Sequence, residues 1–212
     1  METAWVAAVA TAGGRVGPAA DSADDLVRHY AEPHRRYHTA THVIAVLRDS
    51  AELADALGLD DVQRAVIALA ACAHDVVYNA RPGDDERASA QWAREALRMA
   101  GLAAAHVERV AQLVLTTLTH HTDPDDVPAT ALLDADLAIL ASAPDTYAAY
   151  VSAVRAEYAA VDDDGWRTGR AAVLSGLLDR PRLYLSEPGR MRWEAAARAN
   201  VAAELGQLTG TS

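Results

Sequence analysis

Histidines and carboxylates break into apolar helical segments at four places in this chain, and these residue types are the usual ligands of a divalent metal. The first is "HRRYHTATHVIAVL", His34 to Leu47. Thr39 suits a helix N-cap, which puts His42 in the first turn, with Val43, Ile44, Val46 and Leu47 supplying a buried side. His38 precedes His42 by four and shares its face only if the helix reaches back that far. With Thr39 as the cap, His38 lies just outside, and ligand, neighbour of a ligand and satisfied turn histidine all stay open. The second place is the His74-Asp75 doublet behind the apolar run Val66 to Ala73. The third is His120-His121 at the end of an apolar helix. The fourth is "LLDADLAIL", where Asp134 and Asp136 sit two apart and so face nearly opposite sides of their helix.

An unpaired carboxylate in a dry core costs several kcal/mol, roughly, so these groups need a partner. For His74-Asp75 alone, a hydrogen-bonded core pair would suffice. For His…His-Asp…Asp, each on its own apolar helix, one divalent cation satisfies every site together, because the ion offsets the desolvation of its ligands. Residues one apart on a helix point about 100° apart and can share an ion lying between their directions.

The elements that must carry these residues are helices. Spacing of 3.6 type dominates and strand-like alternation is nearly absent. Helices are predicted at about 22–31, 40–57, 61–78, 84–100, 103–120, 129–141, 144–160, 165–179 and 191–208. Asp60 can cap the helix starting at Asp61, Gly101 can end the one before it, and the prolines fall between helices or in first turns. "VDDDG" at 161–165 and Asp123-Pro124-Asp125-Asp126 read as solvated loops and caps, since the oxygen spacing of a calcium loop is missing. The expected fold is all-α, a single bundle of about eight or nine helices over 1–212, with mobile ends at 1–20 and 209–212. The tryptophans are expected in its core.

Composition narrows the function. Hydrophobic content of 51% with 23% charged residues is that of a globular chain. A net charge of −11, with no basic stripe, argues against nucleic acid or an anionic membrane as partner. It leaves room for a small anion held by local arginines, and every cationic residue here is arginine. The lone Cys72 and the absence of a secretory signal fit a cytoplasmic setting.

Longer stretches carry a resemblance: "YAEPHRRYHTATH" (30–42), "HDVVYNARPGDDERASA" (74–90), "LLDADLAIL" (132–140), "YAAYVSAVRAEY" (147–158) and "GRAAVLSGLLDRPRLY" (169–184). In these the chain resembles the HD superfamily, within it a bacterial family of predicted metal-dependent HD phosphohydrolases. The resemblance implies metal ligands at His42, His74, Asp75 and Asp136, the last preferred over Asp134 by the superfamily's Ala-Asp-aliphatic motif. It implies hydrolysis of a phosphoester of a small molecule, plausibly a nucleotide, through a metal-activated water, with Asp75 and Glu86 as catalytic carboxylates. Arg35, Arg36 and Arg81 flank the metal motifs and are candidates for phosphate contact. Where relatives read Asp-Asn-Glu this chain has Asp84-Asp85-Glu86, which leaves the hydrogen bonding of position 85 in question.

The ion could be Mn, Fe, Co, Ni, Zn or Mg, one per chain or two. His38, His120 and His121 are the candidates for a second metal or for substrate. A ligand among His120 and His121 would open the alternative of a di-iron oxygenase on the same scaffold; a non-catalytic nucleotide-binding domain is the other. Oligomeric state is left open, a homodimer included.

Overall fold

The apolar run before the His-Asp doublet is the middle of the molecule. The computed structural model describes residues 1–210. In it, α4 (Asp61–Ala73) is opened by a capping box: Asp60 accepts from the Gln63 amide, and Gln63 returns a bond to the Asp60 amide. From Ala65 onward every residue of α4 except Ala68 is buried, and fully burying a side chain such as Ile67 or Leu69 stabilises by about 1.5–3 kcal/mol. Around it pack α1 (Glu2–Thr11), α3 (Ala40–Ala56), α5 (Asp84–Met99), α6 (Ala104–Thr116) and α7 (Val127–Asp136). Beyond these, α2 (Val16–Tyr30) lies on α1 and α5. A five-residue 3-10 helix, Leu137–Ala141, extends α7 and carries the chain into α8 (Pro144–Glu157), with a bend of 106°. α9 (Asp163–Leu178) packs on α10 (Glu187–Thr209), which lies across the 3-10 helix. Among the described residues there is no strand, and no single helix is long and apolar enough to cross a membrane.

Two boundaries differ most from the sequence expectation, and α6 also ends at Thr116, short of His120. Residues 1–20 form α1 and the start of α2 instead of a mobile end. Apolar side chains run all round α1, so it shows no helical periodicity, yet Trp5 and Val9 are fully buried. Trp5 meets Trp92 at 5.3 Å, its indole N–H donates to Ser22, and the Arg15 amide ties the following turn to Ala100. α4 stops at Ala73 instead of 78, which leaves His74 and Asp75 just past its end. The bundle therefore has ten α-helices among the described residues rather than nine. Thr211 and Ser212, at the expected mobile C-terminus, lie outside the described residues.

Asp134 settles on a structural task. Its buried carboxylate accepts from the amides of Leu185 and Ser186 and from the Ser186 hydroxyl, while Ser186 caps α10 by accepting from Gly189. A Cβ at Gly189 would stand 2.5 Å from the Asp134 carboxylate, so only glycine allows this approach. Asp134→Ala is expected to lower stability by about 2–4 kcal/mol in urea unfolding, from the donors left unpaired, with metal content per folded chain unchanged.

Candidate metal centre

Each polar group of the centre arrives from a helix end. His42 sits in the first turn of α3, whose N-cap is Thr39; His74 and Asp75 follow the last turn of α4; Asp136 is the last residue of α7. Near the ends of its helix a side chain can reach into the space between elements while the apolar middle stays packed.

The four side chains converge. His42 Nε2 lies 3.1 Å from His74 Nε2 and 3.1 Å from Asp136 Oδ1; His74 Nε2 lies 3.5 Å from that same oxygen. Asp75 Oδ2 is 2.9 Å from His74 Nε2 and 3.5 Å from His42 Nε2. His42, His74 and Asp136 form the one set of three donors mutually within 4.8 Å among the described residues; Asp75 touches both imidazoles from outside that set. Two donors each about 2.1 Å from a common ion and at right angles stand about 3 Å apart, which is the spacing seen. The imidazoles are also oriented for it: His74 Nδ1 bonds the Ala71 carbonyl at 2.9 Å, leaving Nε2 inward. Two nitrogens and two carboxylates are a donor set that fits a divalent ion of borderline hardness.

Charge balance supports the same conclusion. Burial pushes the His74 imidazole down, but Asp75 and Asp136 outweigh it and raise it well above its ordinary value. Burial likewise opposes the charge of both carboxylates, yet the imidazoles hold Asp75 and Asp136 well below the usual range. Without a cation, protons on the histidines balance the carboxylates; a bound cation replaces them.

The loop that carries His38 is organised by a residue the sequence reading did not single out. Glu157, the last residue of α8, has a side chain only 1% exposed. Its Oε1 accepts from the amides of Arg36, Tyr37 and His38, and its Oε2 from His38 Nδ1 at 2.6 Å and the Tyr78 hydroxyl at 3.0 Å. Burial pushes this carboxyl up, but the His38 bond and charge and the backbone amides win and hold it at about 2. His38 stacks on Tyr78 with centroids 4.1 Å apart and lines the cavity in front of the metal residues. Nothing local in "VSAVRAEY" marks Glu157, because its five donors lie on other elements. Tyr37 was missed for a related reason. Its ring packs 4.7 Å from His42, and its hydroxyl is buried with no protein partner.

The cavity has a volume of about 540 Å³ and is also lined by Asp75, Arg81, Glu86, His120 and Asp136. His120 has a left-handed φ of 49° and directs Nε2 to Asp136 Oδ2 at 3.0 Å. His121 does not join it: exposed, it bonds the Thr119 carbonyl. Glu86 lines the cavity and spends Oε2 on the Gly83 amide at the start of α5. Asp85 accepts from the Asn79 amide and side chain and from the Arg81 amide, so the carboxylate at this position keeps a hydrogen-bonding role in the 79–81 turn.

Two of the three arginines nominated for phosphate lie elsewhere. The Arg35 guanidinium is buried and donates to the carbonyls of His38, Asp75 and Val76 and to Glu32; it clamps the doublet's backbone to the His38 loop. Arg36 folds back on the Pro33 and Arg35 carbonyls and lines a different cavity. Arg81 remains, exposed at the cavity wall. Trp166 departs from the core role expected of the tryptophans and lines the cavity as well.

Two measurements follow. Binding of a divalent ion must displace protons from His42 and His74, whose imidazoles are both raised. Apparent affinity, followed by chelator competition, should therefore fall as pH is lowered, by up to about tenfold per pH unit for each proton displaced. Glu157 is depressed from 4.5 to about 2, so it stabilises the fold above pH 4.5 and loses this as pH falls toward 2. Glu157→Gln should remove about 3 kcal/mol of that acid-sensitive stability, read as a flatter acid limb in denaturant midpoints against pH.

Comparison with known proteins gives a single match. No curated protein and no solved structure matches the chain significantly. A family model described as the HD domain matches residues 39–153, just over half of the 212. That span runs from the cap of the helix bearing His42, through the His74-Asp75 doublet and Asp136, into α8, and on this evidence the chain belongs to the HD domain family.

Proposed function

We propose that this protein is a metal-dependent phosphohydrolase acting on a small phosphorylated compound. The observation that carries the reading is the convergence of His42, His74, Asp75 and Asp136 beside a cavity large enough for a small molecule, which three of them line. Those four residues would hold the divalent cation, which when bound supplies a Lewis acid for a phosphoryl oxygen and a water of lowered pKa. Asp75, open to the cavity and touching both imidazoles, takes the proton of the attacking water. Glu86 assists from the cavity wall, and Arg81 meets the phosphate with its fork of N–H donors. His38, its Nδ1 engaged by Glu157, lines the same cavity and is held there for contact with substrate. Arg35 and Glu157 act on the reaction only by holding the loop and the doublet in place.

One ion per chain is the stoichiometry proposed, with His120 donating to Asp136 as a partner that orients a ligand. The oxygenase alternative requires His120 to ligate a second ion. Its imidazole already meets Asp136, and the described residues offer one compact donor set.

The test is metal analysis of protein purified without added metal, beside turnover of a phosphoester panel before and after chelation. Wild type should carry one ion, and His74→Ala should lose the ion and at least about a thousandfold in turnover. His120→Ala should keep one ion and lose about 10- to 100-fold in affinity or rate. Full metal occupancy in His74→Ala would sink the site assignment; a second ion lost in His120→Ala would sink the one-ion reading.

A further inference from the structure

The cavity that His42, Asp75 and Asp136 line also has an apolar wall. Val154, Val161, Gly165, Trp166, Gly169 and Val173, from α8, α9 and the loop between them, line it, as do Leu137 and Ile139 of the 3-10 helix. Val161 and Val173 are 37% and 57% exposed, among the few large apolar side chains left open to solvent. Single surface valines need no explanation, but these two open onto the same cavity beside Trp166.

Several polar groups that line the cavity are committed to the protein. Arg170 is held by both oxygens of Glu204 and by the Tyr150 hydroxyl. The Tyr78 hydroxyl is spent on Glu157, and the Thr117 hydroxyl on the Val114 carbonyl. The arginines lining the cavity are Arg81 and Arg170, and Glu204 neutralises the second. One free guanidinium beside a divalent cation suits a single phosphate, whereas a polyphosphate would meet Asp85 and Glu86 with little to offset them. Residues 161–173 also lie outside the family-matched span.

We infer that the substrate is a phosphate monoester of an apolar alcohol, aryl or alkyl, whose apolar half seats against Val161, Trp166, Gly169 and Val173. The inference rests on the hydrolase reading and sharpens its substrate from a nucleotide to an apolar ester. Gly169 provides a clean probe. It lies within α9 and lines the cavity, and a Cβ there would meet nothing within 4 Å, so a larger side chain adds bulk at the cavity wall without displacing a neighbour.

The experiment uses the metal-loaded full chain. Phenyl and octyl phosphate should be hydrolysed with kcat/KM at least about tenfold above ribose 5-phosphate and adenosine monophosphate, from the apolar area they bury. Gly169→Leu should cut the ratio of phenyl to methyl phosphate turnover by about tenfold, with metal content unchanged and thermal midpoint no lower; Val173→Asp should act in the same direction. Binding of non-hydrolysable phosphonates, read from tryptophan fluorescence, separates this inference from the hydrolase reading. If no ester turns over but phenylphosphonate binds more tightly than methylphosphonate, and Gly169→Leu abolishes the difference, the hydrolase reading fails and the apolar seat stands. Equal binding of the two phosphonates, or preference for the ribose and nucleotide esters, overturns the seat.

Discussion

Two imidazole nitrogens 3.1 Å apart, with carboxylate oxygens 2.9–3.5 Å from them, form the constraint on which the rest of the molecule depends. Such a cluster inside an apolar bundle is tolerable only if its charges balance, and a divalent cation does so with no reorganisation of the side chains. The surroundings keep that arrangement rigid. Arg35 holds the backbone carbonyls of Asp75 and Val76, Glu157 holds the loop in front of His42, and Ala71 fixes the ring of His74. None of these groups needs to touch a substrate. Their effect is that donors from three helices meet without conformational search, so metal binding does not have to order them.

The buried polar residues sort by what completes them. Asp134 is completed by the amides that start α10, and Glu204 by Arg170 and the Tyr147 hydroxyl. Asp85 is completed by the 79–81 turn. Asp75 and Asp136 have imidazoles as their side-chain partners, and those imidazoles turn toward one another. His74 Nδ1 donates to the Ala71 carbonyl, so its neutral ring presents a bare Nε2 to the other three side chains, which is the form that a cation binds. The carboxylates differ in exposure as well as in partners: Asp134 is buried among the amides it accepts from, while Asp75 and Asp136 are half-buried where they line the cavity.

Legibility followed the range of the interaction. The helices with a clear apolar stripe, and caps such as Asp60 and Asp162, could be read from residues a few positions apart, because the bonds they make are local. α1 escaped because it is apolar on all sides and its only periodic signal is its burial against α4. The early end of α4 escaped because Val76 and Val77 continue the apolar run, although the backbone turns away after Ala73 so that His74 can reach inward.

The sequence by itself determined the all-α fold class, and histidines and carboxylates breaking into apolar helical segments pointed to a metal, since residue type and helical spacing restrict these before any contact forms; the choice of His42, His74, Asp75 and Asp136 came from the resemblance to the HD superfamily. Tertiary structure alone decided the rest. Arg35 and Arg81 are equally basic and equally near a metal motif, but one is enclosed by backbone carbonyls and the other stands at the cavity wall. His120 and His121 are neighbours, and a left-handed turn sends one to Asp136 and the other to solvent. Glu157 gathers five donors from residues 36–38 and 78, and the apolar wall is assembled from α8, α9 and their connecting loop. The physical reason is common to all of them. The role of a polar or apolar side chain is set by which distant groups complete it, and the packing of helices far apart in the chain makes that choice.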